Sequence, residues 1–284
     1  MRLKALAQAC HPGPSLVVTT VAVLLGVGVG YPAGRLVLLG AVMLADQLSV
    51  GWSNDWIDAP RDLAVSRRDK PIATGAITAR SVGIAAFAAL AVALLLTIPL
   101  GPAALVAHAI ALGSAWAYNA WLKRTLVSIV PYVVSFGILP AIVTLGLPGP
   151  RWPAWWVVVA GCLFGAAAHV TNVLPDLELD RVTGVRGLAH VMGARAGGLV
   201  SFGILAVTAA VIALGATVGG GLTGWPSAVV VTAAAITVLI ALLGVVLALR
   251  GVRSRLLMQL IMGSAVLDVI GLVAAGPVLS GSPL

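Results

Sequence analysis

The chain has 284 residues, of which 60% are hydrophobic and only 9% charged. A soluble domain carries roughly 25% charged residues, so this chain cannot cover a water-facing surface, and disorder needs the opposite balance of low hydrophobicity and high charge. The apolar runs are long and unbroken rather than alternating in segments of about 10 residues, which excludes a transmembrane β-barrel and leaves an all-α polytopic membrane protein.

In chain order, His11-Pro12-Gly13-Pro14 breaks the sequence before the first apolar run. That run therefore reads as an uncleaved span rather than a signal peptide, with residues 4–10 as a short interfacial helix. A spanning helix needs ~20 mostly apolar residues. Nine candidates follow, at 14–31, 35–54, 81–100, 102–118, 127–147, 153–174, 196–218, 226–249 and 256–277. The connections are short except for 55–80 and 175–195. With the N-terminus inside, 15 of the 17 Lys and Arg residues fall on the cytoplasmic side and only Arg35 and Arg151 outside. Such a division sets orientation by the positive-inside rule. The net charge of +8 is thus a topology signal and needs no nucleic-acid partner. Trp152, Trp155 and Trp156 stand at the outer start of the sixth span, where an aromatic belt is expected. Cys10 and Cys162 are isolated and have no metal-ligand spacing.

The acids are concentrated. Of nine, Asp55, Asp58, Asp62 and Asp69 lie in the first long connection, and Asp176, Glu178 and Asp180 in the second. Asn54, Asp58 and Asp62 form an Asn-x3-Asp-x3-Asp pattern, which Asn172, Asp176 and Asp180 repeat 118 residues later, each after an even-numbered span. This points to one membrane domain over 1–284 built by internal duplication, helices 1–4 and 5–8, plus a ninth helix. A spacing of four puts side chains on one helical face. Asp176 and Asp180 follow Pro175, which suits the first position of a helix, so that pair should project together. Pro60 interrupts the first motif, so Asp62 is expected on a turn. Two carboxylate clusters on one membrane face repel unless cations offset them, and all-oxygen ligands suit Mg²⁺ shared with substrate phosphates. Arg67, Arg68 and Lys70 beside the first cluster, and Arg181 and Arg186 beside the second, would neutralise phosphate oxygens. Tyr118 and Lys123 offer a hydroxyl and a cation on the same side. Asp46 lies two helical turns before Asn54 and is expected to line the same cavity near an acceptor; Asp268 sits within the ninth span. His169 precedes Asp176 by seven residues and is placed near the same cavity, while His11, His108 and His190 read as structural.

With Asn54-Asp55-x2-Asp58-x3-Asp62 and Asp176-x3-Asp180 in place, the chain resembles the UbiA superfamily of intramembrane prenyltransferases, nine-helix proteins with aspartate-rich motifs after helices 2 and 6. The resemblance covers nearly the whole chain, including Arg68-Asp69-Lys70-Pro71-Ile72 and Tyr118…Lys123-Arg124. It implies that Asn54, Asp58, Asp176 and Asp180 coordinate Mg²⁺ bridging an isoprenyl diphosphate. Asp58, Asp62, Asp176 and Asp180 become the catalytic set, with Asp55 and Asp62 supporting the first cluster. Arg67 or Arg68, Lys70, Tyr118 and Lys123 would hold diphosphate oxygens. The chain departs from the family in having Asp69-Lys70-Pro71 for Asn-Arg-Pro, and Tyr-x4-Lys for Tyr-x3-Lys. Residues five apart on a helix point ~140° apart, so Tyr118 and Lys123 can act together only if their segment is not a regular helix. The reaction implied is transfer of an isoprenyl group to a small aromatic or lipid-precursor acceptor, by ionisation at a site facing the cytoplasm, with the prenyl tail among the helices and membrane lipid around them. A membrane terpene cyclase would use the same ionisation without an acceptor. A secondary transporter would place its ionisable groups nearer the midplane.

Overall fold

The computed structural model describes residues 2–182, 184–252 and 254–283. Arg253 lies outside the described residues, as do the side chains of Arg2 and Arg181. Eleven α-helices are formed among the described residues: α1 (Arg2–Gln8), α2 (Pro12–Gly28), α3 (Ala33–Ala64), α4 (Ala79–Thr97), α5 (Pro102–Ala120), α6 (Val130–Leu145), α7 (Trp155–Val173), α8 (Leu177–Val182), α9 (Leu188–Leu214), α10 (Gly224–Leu249) and α11 (Leu256–Ala275). Each expected span is occupied by one of them, with α1 and α8 outside the set. Six helical segments are long and apolar enough to cross a membrane, those built on α3, α4, α7, α9, α10 and α11, while α2 and α6 are shorter apolar helices. Large apolar side chains such as Val37, Ile84, Leu95, Leu239 and Ile270 are exposed on the outside of the bundle, the surface an integral membrane protein presents to lipid.

The helices close into a ring. α2 packs on α3 and α11; α3 on α4 and α5; α5 on α6; α6 on α7; α7 on α9; α9 on α10; and α10 on α11. Helix pairs in lipid gain most from close backbone approach at small residues. Gly161 and Gly165 on α7 meet the requirement, since a Cβ on either would collide with a carbonyl of α6, that of Phe136 or Tyr132 respectively. A short antiparallel ribbon, β1 (Arg151–Pro153) with β2 (Ser280–Pro283), ties the start of α7 to the segment after α11.

Two sequence expectations change. Asp62 does not sit on a turn: α3 runs through Pro60 to Ala64, so Asn54, Asp58 and Asp62 share one continuous helix. A proline inside a helix costs about 3 kcal/mol or more. Here the last turns are held from outside, because Asp58, Ala59 and Asp62 are all buried, Asp58 is ion-paired with Lys123, and Arg61 with Asp180. Trp152 and Trp155 are exposed at the start of α7, but Trp156 is buried and packs on the site of Gly215, away from the expected belt.

Candidate active site

The last three turns of α3 present Asn54, Asp55, Asp58 and Asp62. Asp58 accepts from Lys123 Nζ at 2.5 Å and from Arg61 Nη2 at 3.1 Å. Arg61 also lies 3.8 Å from Asp62 and donates to Asp180 Oδ1 at 3.2 Å. One guanidinium therefore joins the two acidic motifs across 119 residues of chain. The other oxygen of Asp180 meets His190 Nε2 at 3.1 Å.

Asp176 and Asp180 do not project together. A 3-10 turn over Leu174–Asp176 precedes α8 and rotates the first away from the second. Asp176 turns outward to Arg67 Nη1 at 3.4 Å, and Arg67 in turn grips Asp69 through two bonds of 2.8 and 2.7 Å. The Arg67 bond is the main cause holding Asp69 down to about 2. The same bond raises the Arg67 guanidinium above its ordinary value. Asp55 faces another side, paired with Lys70 Nζ at 2.5 Å and His11 Nε2 at 3.1 Å. Arg68 is exposed and makes no ion pair among the described residues.

The Tyr118–Lys123 segment is not one regular helix. α5 ends at Ala120, Trp121 leaves helical geometry, and Leu122–Arg124 forms a 3-10 turn. That break lets Lys123 reach Asp58 while Tyr118 remains on α5. Burial pulls the Lys123 ammonium below the ordinary lysine range, and the Asp58 carboxylate pulls it back up.

Below the charged end lies a cavity of about 300 Å³ between α2, α3, α5, α6, α7 and α11. Asn54, Tyr118, Asn119 and Asn172 form polar parts of its lining, and Val18, Met43, Phe136, Leu139, Phe164 and Val269 belong to its apolar wall. Asn54 Nδ2 donates to Asn119 Oδ1 at 3.2 Å, which fixes its amide toward α5. Tyr118 stands edge-on to Tyr132 with ring centroids 5.1 Å apart. Both rings contact His169, which shares a hydrogen bond of 3.1 Å with Ser128. Asp46 lines the cavity as expected, paired with His108 at 3.3 Å. Of the expected substrate-binding residues, Asp46, Asn54 and Tyr118 are on the wall, whereas Arg67, Arg68, Lys70 and Lys123 are not among the lining residues. Asp268 sits elsewhere, buried against Thr237 Oγ1 at 2.8 Å.

Among the described residues, no group of three or more His, Cys, Asp or Glu side chains is gathered to hold a metal ion unaided. This does not conflict with Mg²⁺, which is commonly bound through one or two carboxylates plus substrate phosphates. The donors here are hard oxygens, and Asp58 and Asp180 already share one cationic group. Their chemistry fits a divalent cation held jointly with a diphosphate.

The partners of these acids were largely hidden in the sequence. Arg61 lies three residues after Asp58, a helical ion-pair spacing that would have found it. His190 and His108 reach Asp180 and Asp46 through tertiary packing, which no local spacing records.

The sequence profile of the UbiA prenyltransferase family matches residues 15–263. The chain belongs to the UbiA prenyltransferase family. The UbiA fold extends over essentially all of it. A UbiA homolog from Archaeoglobus fulgidus, solved bound to GPP and Mg²⁺, is 15% identical with a TM-score of 0.73, covering 97% of this chain and 99% of that one. A UbiA homolog from Aeropyrum pernix K1 is 19% identical with a TM-score of 0.69, covering 90% and 94%. A digeranylgeranylglyceryl phosphate synthase is 12% identical with a TM-score of 0.65, covering 95% and 99%. At these identities the likeness is one of fold. No curated protein matches this UbiA chain by sequence.

Proposed function

We propose that this UbiA-family protein transfers an isoprenyl group from an allylic isoprenyl diphosphate to a small acceptor, with the diphosphate held at the cytoplasmic end of the bundle. The observation that carries the reading is the meeting of Asp58 and Asp180 on Arg61 at the polar end of an apolar cavity. Asn54, Asp58, Asp176 and Asp180 would hold Mg²⁺ there, with Asp62 supporting them. The bound metal would stabilise negative charge on the departing diphosphate.

The chain's own cations do the remaining electrostatic work. Lys123 and Arg61, now engaged with carboxylates, are within reach of any diphosphate placed among those carboxylates. They would shift their hydrogen bonds to its oxygens, donors fixed in place before the charge develops. Arg67 and Lys70 flank the same end and would draw the anion in; Arg68, exposed beside them, would add to the field. Tyr118 presents its ring and hydroxyl where the allylic carbon would enter the cavity. The prenyl tail would lie along the apolar wall, each buried CH₂ contributing about 0.8 kcal/mol. A wall that excludes water would protect the allylic cation from quenching.

The orientation follows from the 15 to 2 division of basic residues. The whole chain is read as one domain. The test is to incubate a series of isoprenyl diphosphates with membranes holding the protein, with and without lipid extract, and identify products by mass spectrometry. Prenylated product that requires the extract supports transfer. A cyclic hydrocarbon from the diphosphate alone would assign terpene cyclisation instead.

A further inference from the structure

Two turns below Asn54, the wall of the cavity carries a hydrogen-bonded group that diphosphate binding does not use. His108 Nδ1 lies 2.7 Å from Thr97 Oγ1. The Thr97 hydroxyl has one proton and gives it to Ala93 O at 2.7 Å. Nδ1 must therefore be the donor to Thr97, and His108 presents Nε2 to Asp46 Oδ1 at 3.3 Å. Two lone pairs cannot face each other at that distance, so one proton is shared between Nε2 and Oδ1. With it the pair has no net charge. The second oxygen, Asp46 Oδ2, accepts from Gln47 Nε2 at 2.7 Å and keeps a further acceptor site. Asp46, Gln47 and His108 all line the cavity, and among the described residues no Lys or Arg lines it.

We propose that Asp46, held by His108 and Gln47, is the recognition site for the polar end of the prenyl acceptor, and that this acceptor is an uncharged hydroxyl compound, a phenol or alcohol. The inference rests on the reading of the cavity as the prenyl-transfer chamber and names the substrate class for it. A hydroxyl donates to Asp46 Oδ2 and completes its coordination. A carboxylate or phosphate in the same place would leave water for a carboxyl oxygen in a pair of no net charge, with neither Lys nor Arg on the wall to offset it, an arrangement that strongly disfavours it. The site lies eight residues along α3 from Asn54, about 12 Å of helix. The recognised hydroxyl is thus at one end of the acceptor, and the atom that captures the allylic carbon is nearer the other.

Equilibrium binding to the purified full-length protein tests this with three probes: 2-naphthol, 2-methoxynaphthalene, which lacks the donor proton, and 3-hydroxy-2-naphthoate, which adds a charge. The wild type should bind 2-naphthol about tenfold or more tighter than either of the others. Asp46→Leu should remove the preference of 2-naphthol over its methyl ether while leaving the affinity for the ether. A merely structural role would weaken both alike. Equal binding of naphthol and ether by the wild type, naphthoate binding as tight as naphthol, or a preference surviving in Asp46→Leu would each overturn the proposal. The wild-type comparison decides the matter even if Asp46→Leu does not fold. Diphosphate release by the wild type from a series of isoprenyl diphosphates, with lipid extract present, is read in parallel. Its absence would sink the prenyl-transfer reading, whereas loss of the naphthol preference alone would sink only the acceptor class.

Discussion

Arg61 occupies the middle of the acidic site, bonded to Asp58 and Asp180 and close to Asp62. Like charges gathered this closely are stable only while cations lie between them. Asp58→Asn and Asp180→Asn should each lower diphosphate release by about 100-fold or more, with protein yield unchanged; near-wild-type release from either would move the chemistry elsewhere. Asp69 makes a separate prediction. Its carboxyl is held at about 2, below the usual ~3.9. A depressed carboxyl contributes stability that is present above pH ~4 and is lost as pH falls towards about 2. Because the side chain is half exposed, the contribution is under ~1 kcal/mol. Asp69→Asn should therefore lower the thermal midpoint slightly at pH 6, and the difference should shrink as pH falls below about 4 and be nearly gone by about pH 2, as measured by scanning fluorimetry. The acids themselves were legible in the sequence because Asn-x3-Asp-x3-Asp is a local pattern. The partner of Asp180, His190, was not, nor was His108 beside Asp46, because each approaches from another helix.

The helices were legible as elements, since unbroken apolar runs of about 20 residues have few alternatives. Their ends were less so. Local rules stop α3 before Pro60, whereas buried Ala59 and the ion pairs of Asp58 with Lys123 and of Arg61 with Asp180 carry it on to Ala64. The turn at Trp121 likewise has no strong breaker in its sequence, yet it is what brings Lys123 to Asp58. Close packing of α6 on α7 depends on Gly165, where a side chain would meet the Tyr132 carbonyl. Gly165→Val should destabilise the protein by about 1–3 kcal/mol through overpacking. Gly113→Ala on α5, with open space around it, should cost nothing. Equal thermal midpoints for the two variants would contradict the packing assigned to this interface.

At the scale of the molecule, a ring of helices encloses an apolar chamber with its charge collected at one end. Composition made the membrane setting plain, and the division of the basic residues predicts a cytoplasmic charged end. Reporter fusions within 55–80 and 175–195 should give cytoplasmic signals, and an external signal from either would reverse the orientation. The chamber's division into a charged mouth and an uncharged wall was not legible, because it depends on which helices face each other. If the charged mouth ionises an isoprenyl diphosphate with the help of a divalent cation, turnover must follow the metal. The decisive measurement is diphosphate release by the purified protein from a series of isoprenyl diphosphates, with lipid extract supplied as the source of acceptor. Release is expected with Mg²⁺, stopping in excess chelator and resuming when Mg²⁺ is restored. Undiminished release in chelator, or none with Mg²⁺ present, would contradict it.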